Sequence, residues 1–182
     1  MLRSVLTGAA ALLIAACSGS GNYRDTSVPI STVERVDLER YAGLWYEIAR
    51  FPNSFERNCV GVTAEYLPRA DGSVTVINTC RKNALDGEVE RAEGIATVKD
   101  GSNGAWLKVK FVQWLPFAGD YLILGLAEDY SLAVVGDPKG NTGWILARDP
   151  MIDAETLQTA RDVLARNGYD LSQLQMTPQP PA

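Results

Sequence analysis

Histidine is absent from all 182 residues. That excludes Ser/His and Cys/His nucleophile pairs, imidazole acid–base catalysis and the commonest zinc ligand. Cysteine is scarce: Cys17, Cys59 and Cys80 are spaced too widely for a CxxC metal or redox motif. Charge of one sign is nowhere concentrated. The balance of 17 Lys and Arg against 22 Asp and Glu, net −5, argues against a nucleic-acid partner. Long apolar runs are missing too. The run from Val5 to Ala16 would cover about 18 Å as a helix, short of a membrane core of about 30 Å. For catalysis there remain carboxylates, hydroxyls and lysines in no recognisable arrangement, so neither a metal, a cofactor nor an enzymatic activity is expected.

The first residues read as an address. Arg3, a short apolar core and small residues at its end make a secretory signal over 1–16. Its end, Ile14-Ala15-Ala16-Cys17, resembles the bacterial lipobox. The resemblance implies cleavage before Cys17, a diacylglyceryl thioether and an N-acyl chain on it, and so a membrane contact through the anchor. An ordinary signal cut nearby, with Cys17 incidental, is the alternative. Ser18 in the second mature position, rather than Asp, implies transport to the outer membrane in Gram-negative lipoproteins. Residues 17–35 are rich in Ser, Gly and polar side chains, and the segment reads as a lipidated, flexible tether.

The remainder, 36–179, repeats one theme: a short β-rich run, then Gly, Asp, Asn or Pro. Runs at 43–51, 60–67, 73–79, 89–98, 105–113, 120–127, 131–136 and 143–148 predict eight strands joined by short turns, hence antiparallel neighbours. One helix is predicted over 154–167, with Asp153 as N-cap, Asn167-Gly168 as its stop and Leu157, Ala160 and Leu164 as its apolar stripe. This is an all-β chain: an eight-stranded antiparallel up-and-down barrel with one C-terminal α-helix on its outside. Strand 120–127 is apolar on both faces, so the helix is expected to cover it.

Three stretches carry a specific resemblance. Gly43-Leu44-Trp45-Tyr46-Glu47-Ile48-Ala49-Arg50 is similar to the GxW signature of lipocalins, Glu128-Asp129-Tyr130 to their second motif without its Thr, and Trp144-Ile145-Leu146-Ala147-Arg148 to their third. The stretches WYEIARF, NSFE and VTAEY resemble the bacterial outer-membrane lipocalin and apolipoprotein D branch of that family. The resemblance implies that Gly43 bends the chain into the barrel, Trp45 plugs its narrow end and Arg148 lies on the indole, a contact worth about 0.5–2 kcal/mol. Cys59 and Cys80 flank the hairpin of the second and third strands. An oxidising envelope favours a disulfide between them, whereas two buried free thiols are the alternative. The parity that turns Ala64 and Val76 inward does not set the two cysteines opposite each other, so a bulge or a position beyond the ladder is needed.

The family implies a carrier of small hydrophobic ligands, and its anchored bacterial members imply fatty acids or lysophospholipids for envelope maintenance. Family parity gives an inner face of Glu47, Ala49, Val62, Ala64, Tyr66, Val76, Asn78, Ala92, Ala96, Leu107, Val109, Leu122, Leu124, Ala133 and Val135. For each, plain core packing is the alternative to ligand contact. Glu47, one strand repeat above the plug, needs a buried polar partner such as a Tyr, an Asn or a water. The loop after the fifth strand, with Trp114 and Phe117, is expected at an open rim facing the membrane or folded inward as a lid. A lipocalin-fold enzyme and a ligand-free envelope interaction protein are the other classes; a homodimer is left open. The expected location is the periplasmic side of the outer membrane. Replacing Cys17 with Ser should abolish acylation: mass spectrometry should find no acyl mass on the N-terminal peptide, and an acylated Cys17→Ser protein would refute the anchor.

Overall fold

The computed structural model describes residues 22–112 and 116–181. Eight strands follow one another as a meander: β1 (Gly43–Arg50), β2 (Cys59–Pro68), β3 (Val74–Lys82), β4 (Val89–Val98), β5 (Trp106–Lys110), β6 (Gly119–Leu126), β7 (Leu132–Gly136) and β8 (Gly143–Ala147). Each is antiparallel to the next, and β8 returns to β1 to close the barrel. The turn residues do what their types allow, and the predicted spans hold to within a few residues. The fifth strand is the shortest relative to expectation, ending at Lys110 rather than 113.

One end is shut by the GxW motif. Trp45 is fully buried and donates its indole N–H to the Tyr41 carbonyl at 2.8 Å. The Arg148 guanidinium lies 3.9 Å over the indole ring. It also donates to the carbonyls of Leu44, Arg40, Tyr41 and Ala42 at 2.7–3.1 Å. Gly43 has φ +92°, a conformation that L side chains rarely adopt, which turns the chain into β1 beside Arg148. A short helix not foreseen from the sequence, α1 (Leu38–Tyr41), caps this end. Asp37 is its N-cap, accepting from the Glu39 and Arg40 amides.

The outer core lies under α2 (Ala154–Arg166), where Asp153 accepts from the Thr156 amide as N-cap and Asn167 ends the helix. Ala160, Val163 and Leu164 pack there against Leu122, Leu124, Val134 and Ile145. Three expectations for the barrel interior are corrected by this core. Leu122 and Leu124 face outward, because Leu107 pairs with Tyr121 and so turns Tyr121 and Ile123 inward instead. A strand apolar on both faces carries no parity signal of its own. Ala49 faces outward as well, since a bulge between Glu47 and Ala49 inserts Ile48 and reverses the alternation.

The seam between β1 and β2 is only partly zipped. Their pairing covers Gly43–Tyr46 against Tyr66–Thr63 and then stops. Beyond it the C-terminal segment enters the gap: β9 (Gln175–Met176) pairs with Arg50 and Ala49. The Thr177 amide donates to the Ile48 carbonyl at 2.9 Å, and the Gly61 amide to the Pro178 carbonyl at 2.7 Å. Gln179 spans the remaining gap, donating to the carbonyls of Glu47 and Val62.

The tether reading of 17–35 is corrected from residue 22 onward. The Tyr23 amide donates to the Gly140 carbonyl at 2.7 Å, and the Asp170 amide to the Tyr23 carbonyl at 2.8 Å. Arg24 is 6% exposed and donates to the carbonyls of Asn167, Pro138 and Val28. The guanidinium bonds act together with apolar packing: Tyr23 stacks on Phe51 with centroids 5.1 Å apart, and Ile30 and Val33 pack against the two cores. Replacing Arg24 with Met should leave those carbonyls unpaired and lower stability by about 3 kcal/mol in urea melts. A change below about 0.5 kcal/mol would restore the tether reading.

Candidate functional site

Above the plug the barrel holds a cavity of about 540 Å³ that opens at the far end. Glu47, Val62, Ala64, Tyr66, Val76, Asn78, Ala92, Ala96, Leu107 and Val109 line it, as the inner-face reading expects. Ala133 and Val135 do point inward. They belong to the packed core around Trp45, with Ile123 and Leu146, and do not line the cavity. Small residues on β3 and β4 leave the space, and a ring enters part of it. A Cβ on Gly94 would meet the Lys110 carbonyl oxygen at 2.8 Å and the Phe111 ring at 3.0 Å, so this glycine makes room for the end of β5 and for Phe111, which lines the cavity there.

The interior contains three tyrosines in one hydrogen-bonded row. Tyr121 Oη lies 2.8 Å from both Tyr41 Oη and Tyr66 Oη. Burial raises all three phenols above their ordinary range, so they stay neutral. Tyr41 packs on Trp45 with centroids 4.8 Å apart, joining this row to the plug. Sequence reasoning had placed only Tyr66 here. Tyr121 was missed for the same parity error that turned Leu122 inward, and Tyr41 because α1 was not foreseen.

Charge enters nearer the mouth, where the bulge has a second consequence. It turns Arg50 inward beside Glu47, whose carboxylate accepts from Arg50 Nη1 at 2.5 Å and from the Thr177 hydroxyl. The expected Tyr, Asn or water partner is therefore replaced by a guanidinium and a hydroxyl from the C-terminal segment. Glu56 is nearby, with a carboxylate oxygen 4.0 Å from Arg50 Nε. It accepts from the indole N–H of Trp144 at 3.2 Å and from the Asn53 amide group. One guanidinium thus faces two carboxylates. Burial first, and the Glu56 charge second, push the Glu47 carboxyl up to about 7, against the pull of Arg50 and Thr177.

Among the described residues the mouth is set by 51–58, 83–88, 111–112 with 116–118, and 137–142, the last two being where β5 runs to β6 and β7 to β8. Cys59 and Cys80 are bonded beside it, with Cα atoms 5.4 Å apart. Of the two ways for the cysteines to meet, a bulge or a position beyond the ladder, the structure has the bulge: register shifts between Val60 and Thr63, where Gly61 has φ +56°. Closing this loop contributes about 3 kcal/mol in the chain-entropy model. Phe117 is 77% exposed and lies outside the cavity lining, whereas Trp114 and Cys17 fall outside the described residues. Among the described residues no group of acidic or sulfur side chains is placed to hold a metal.

A family model described as a lipocalin-like domain matches residues 36–179. The chain is 38% identical over 180 residues to the outer membrane lipoprotein Blc of Escherichia coli (strain K12), covering 99% of this chain and 98% of that protein. It is 32% identical over 151 residues to apolipoprotein D of Bos taurus, covering 80% and 78%. The solved structure of insecticyanin from the tobacco hornworm Manduca sexta superposes with a TM-score of 0.65 at 21% identity, covering 82% of this chain and 84% of that one.

The raised carboxyl of Glu47 has a consequence for stability. The folded state holds a proton there between about pH 4.5 and 7 that the unfolded chain has released, so stability is full below that window and falls as pH rises through it. Glu47→Gln should flatten this slope, removing up to about 3 kcal/mol of pH-dependent change in denaturant melts. An unaltered slope would assign it to another group.

Proposed function

This chain belongs to the lipocalin family, and on that premise we propose that it is a lipid-anchored carrier that holds one small amphiphile, a fatty acid or a lysophospholipid, in its barrel. The observation that carries the reading is the cavity itself. Its 540 Å³ lie within the roughly 300–1,000 Å³ of small-molecule sites, and its walls are mostly apolar, with Glu47, Glu56, Glu90, Arg91 and Asp120 as their charged members. An acyl chain burying apolar surface there gains about 25 cal/mol per Å². Charges sit where a head group would emerge. Two carboxylates sharing one guanidinium disfavour a fatty-acid carboxylate and suit a zwitterionic head. An open, apolar cavity also favours a carrier over an interaction protein with a filled core.

The anchor reading rests on Cys17 within its lipobox-like context, and Ser18 supports the outer membrane, periplasmic side, as the location. Relatives named outer membrane lipoproteins support both. The test is native mass spectrometry on protein purified without detergent, followed by titration with a lysophospholipid and a fatty acid. One lipid per barrel is expected, with lysophospholipid preferred and the preference reduced in Glu47→Gln. Val109→Trp, which fills the cavity, should abolish uptake. A folded wild-type barrel that takes up neither lipid would refute the carrier, and new products from an added lipid would favour the enzyme.

A further inference from the structure

The exposed large apolar side chains are not spread evenly over the described surface. Phe55, Leu85, Val89, Phe111, Val112 and Phe117 all stand at the open end, on three of its four loops or their strand junctions. Phe117 is 77%, Phe55 60% and Val89 52% exposed. The remaining four are Leu44 and Leu67 at the plugged end, Met151 in the segment that leaves β8 there, and Met176 on β9. Apolar side chains gathered on one rim mark a contact surface, since solvent alone would disfavour them.

The fourth open-end loop says what the surface meets. The N-terminal segment is fastened there, through the Tyr23 amide on the Gly140 carbonyl and Arg24 on the Pro138 carbonyl. The Tyr23 hydroxyl donates to the Pro52 carbonyl at 2.6 Å, on the neighbouring loop. Only four residues lie between Asn22 and Cys17, five steps that reach about 17 Å when fully extended. The ten-residue strands β2 and β4 rise about 33 Å, or about 25 Å along the axis at the tilt of a barrel. A chain of that reach brings Cys17 to the mouth and does not bring it to the plugged end.

We propose that the open rim is a membrane-docking surface for a phospholipid bilayer. With Cys17 acylated, as the reading above holds, the anchor enters the bilayer beside the mouth. Phe55, Leu85, Val89, Val112 and Phe117 then rest among the head groups, where aromatic and aliphatic side chains are favoured. The cavity opens directly onto the bilayer, so an amphiphile passes between them without its acyl chain crossing water.

The test uses the chain from Ser18 onward, which keeps the whole barrel and both cores but lacks the anchor, with phosphatidylethanolamine–phosphatidylglycerol vesicles. Wild-type protein should co-sediment with them. Phe117→Asp combined with Val89→Asp should reduce the bound fraction about tenfold or more, with lysophospholipid affinity in vesicle-free solution unchanged. Leu44→Asp combined with Leu67→Asp, at the plugged end, should leave vesicle binding intact. Wild-type protein that does not bind, or a plugged-end pair that weakens binding equally, overturns the proposal. So does a rim pair that loses ligand affinity together with vesicle binding, because the rim would then be an inward lid. Separate ligand measurements keep a failure of docking apart from a failure of the carrier reading. In the acylated full-length protein on the same vesicles, amide exchange should slow at 83–88 and 116–118 relative to the unanchored protein, and not at 69–73 and 99–104. The reverse pattern overturns the proposal independently of any variant.

Discussion

The guanidinium of Arg148 is the contact on which the rest of the barrel depends. It lies on the Trp45 ring and donates to four carbonyls of residues 40–44, tying the last strand to the turn by which the chain enters the first. A planar fork with five donors can serve ring and carbonyls together, which an ammonium cannot. Those carbonyls sit around Gly43, whose positive φ leaves them pointing away from any strand partner. With this end tied shut the cavity opens at the other, and the interior between them is decided by what the strands put inside.

What they put inside was legible where alternation was clean. On β2 through β5, residues such as Val62, Val76, Ala96 and Leu107 stand where family parity places them, and on β4 and β5 the alternation of the residues themselves agrees with it. Legibility failed in two ways. On β6 both faces are apolar, one buried in the barrel and one under α2, so hydrophobicity held no information about parity and Tyr121 was exchanged with Leu122. On β1 the alternation itself breaks: Ile48 is an extra residue against β8, and nothing in a run as apolar as Trp-Tyr-Glu-Ile-Ala announces it. The disulfide showed the opposite case. There the parity argument asked in advance for a bulge or a position beyond the ladder, and the structure has the bulge, at Gly61.

The Ile48 bulge is more than an irregularity. Without it, alternation from Glu47 would carry Ala49 inward and Arg50 outward, leaving a carboxylate in the barrel with no cation. The inserted residue gives Glu47 its guanidinium, and the same bend parts β1 from β2 and admits Thr177 and Gln179 from the C-terminal segment. Ion pair and seam closure are thus one event. The pair is unbalanced, however, because Glu56 competes for Arg50. The barrel is therefore graded along its axis: indole and neutral phenols below, aliphatic walls between them, and carboxylates with a shared cation above. That gradient matches a molecule with an apolar tail and a polar head, and either half of the gradient alone would not select one.

The two terminal segments complete the barrel by different physics. The C-terminal one behaves as a strand and repairs a ladder. The N-terminal one has the composition of a linker, and composition-based reasoning treats it as such because it holds little to bury. Its order comes from Tyr23, Ile30 and Val33 packed on the cores and from Arg24, whose guanidinium meets carbonyls from the end of α2 and the β7–β8 loop, left unpaired where regular structure stops. Gly140 is part of this fit, since a Cβ there would overlap Arg24. The fit converts a segment that would let the barrel turn freely on its membrane into one that holds Asn22 at the rim. On the docking proposed above, a cavity tied mouth-first to the lipid surface exchanges its ligand by contact, so the orientation of the anchor belongs to the binding site as much as the walls do.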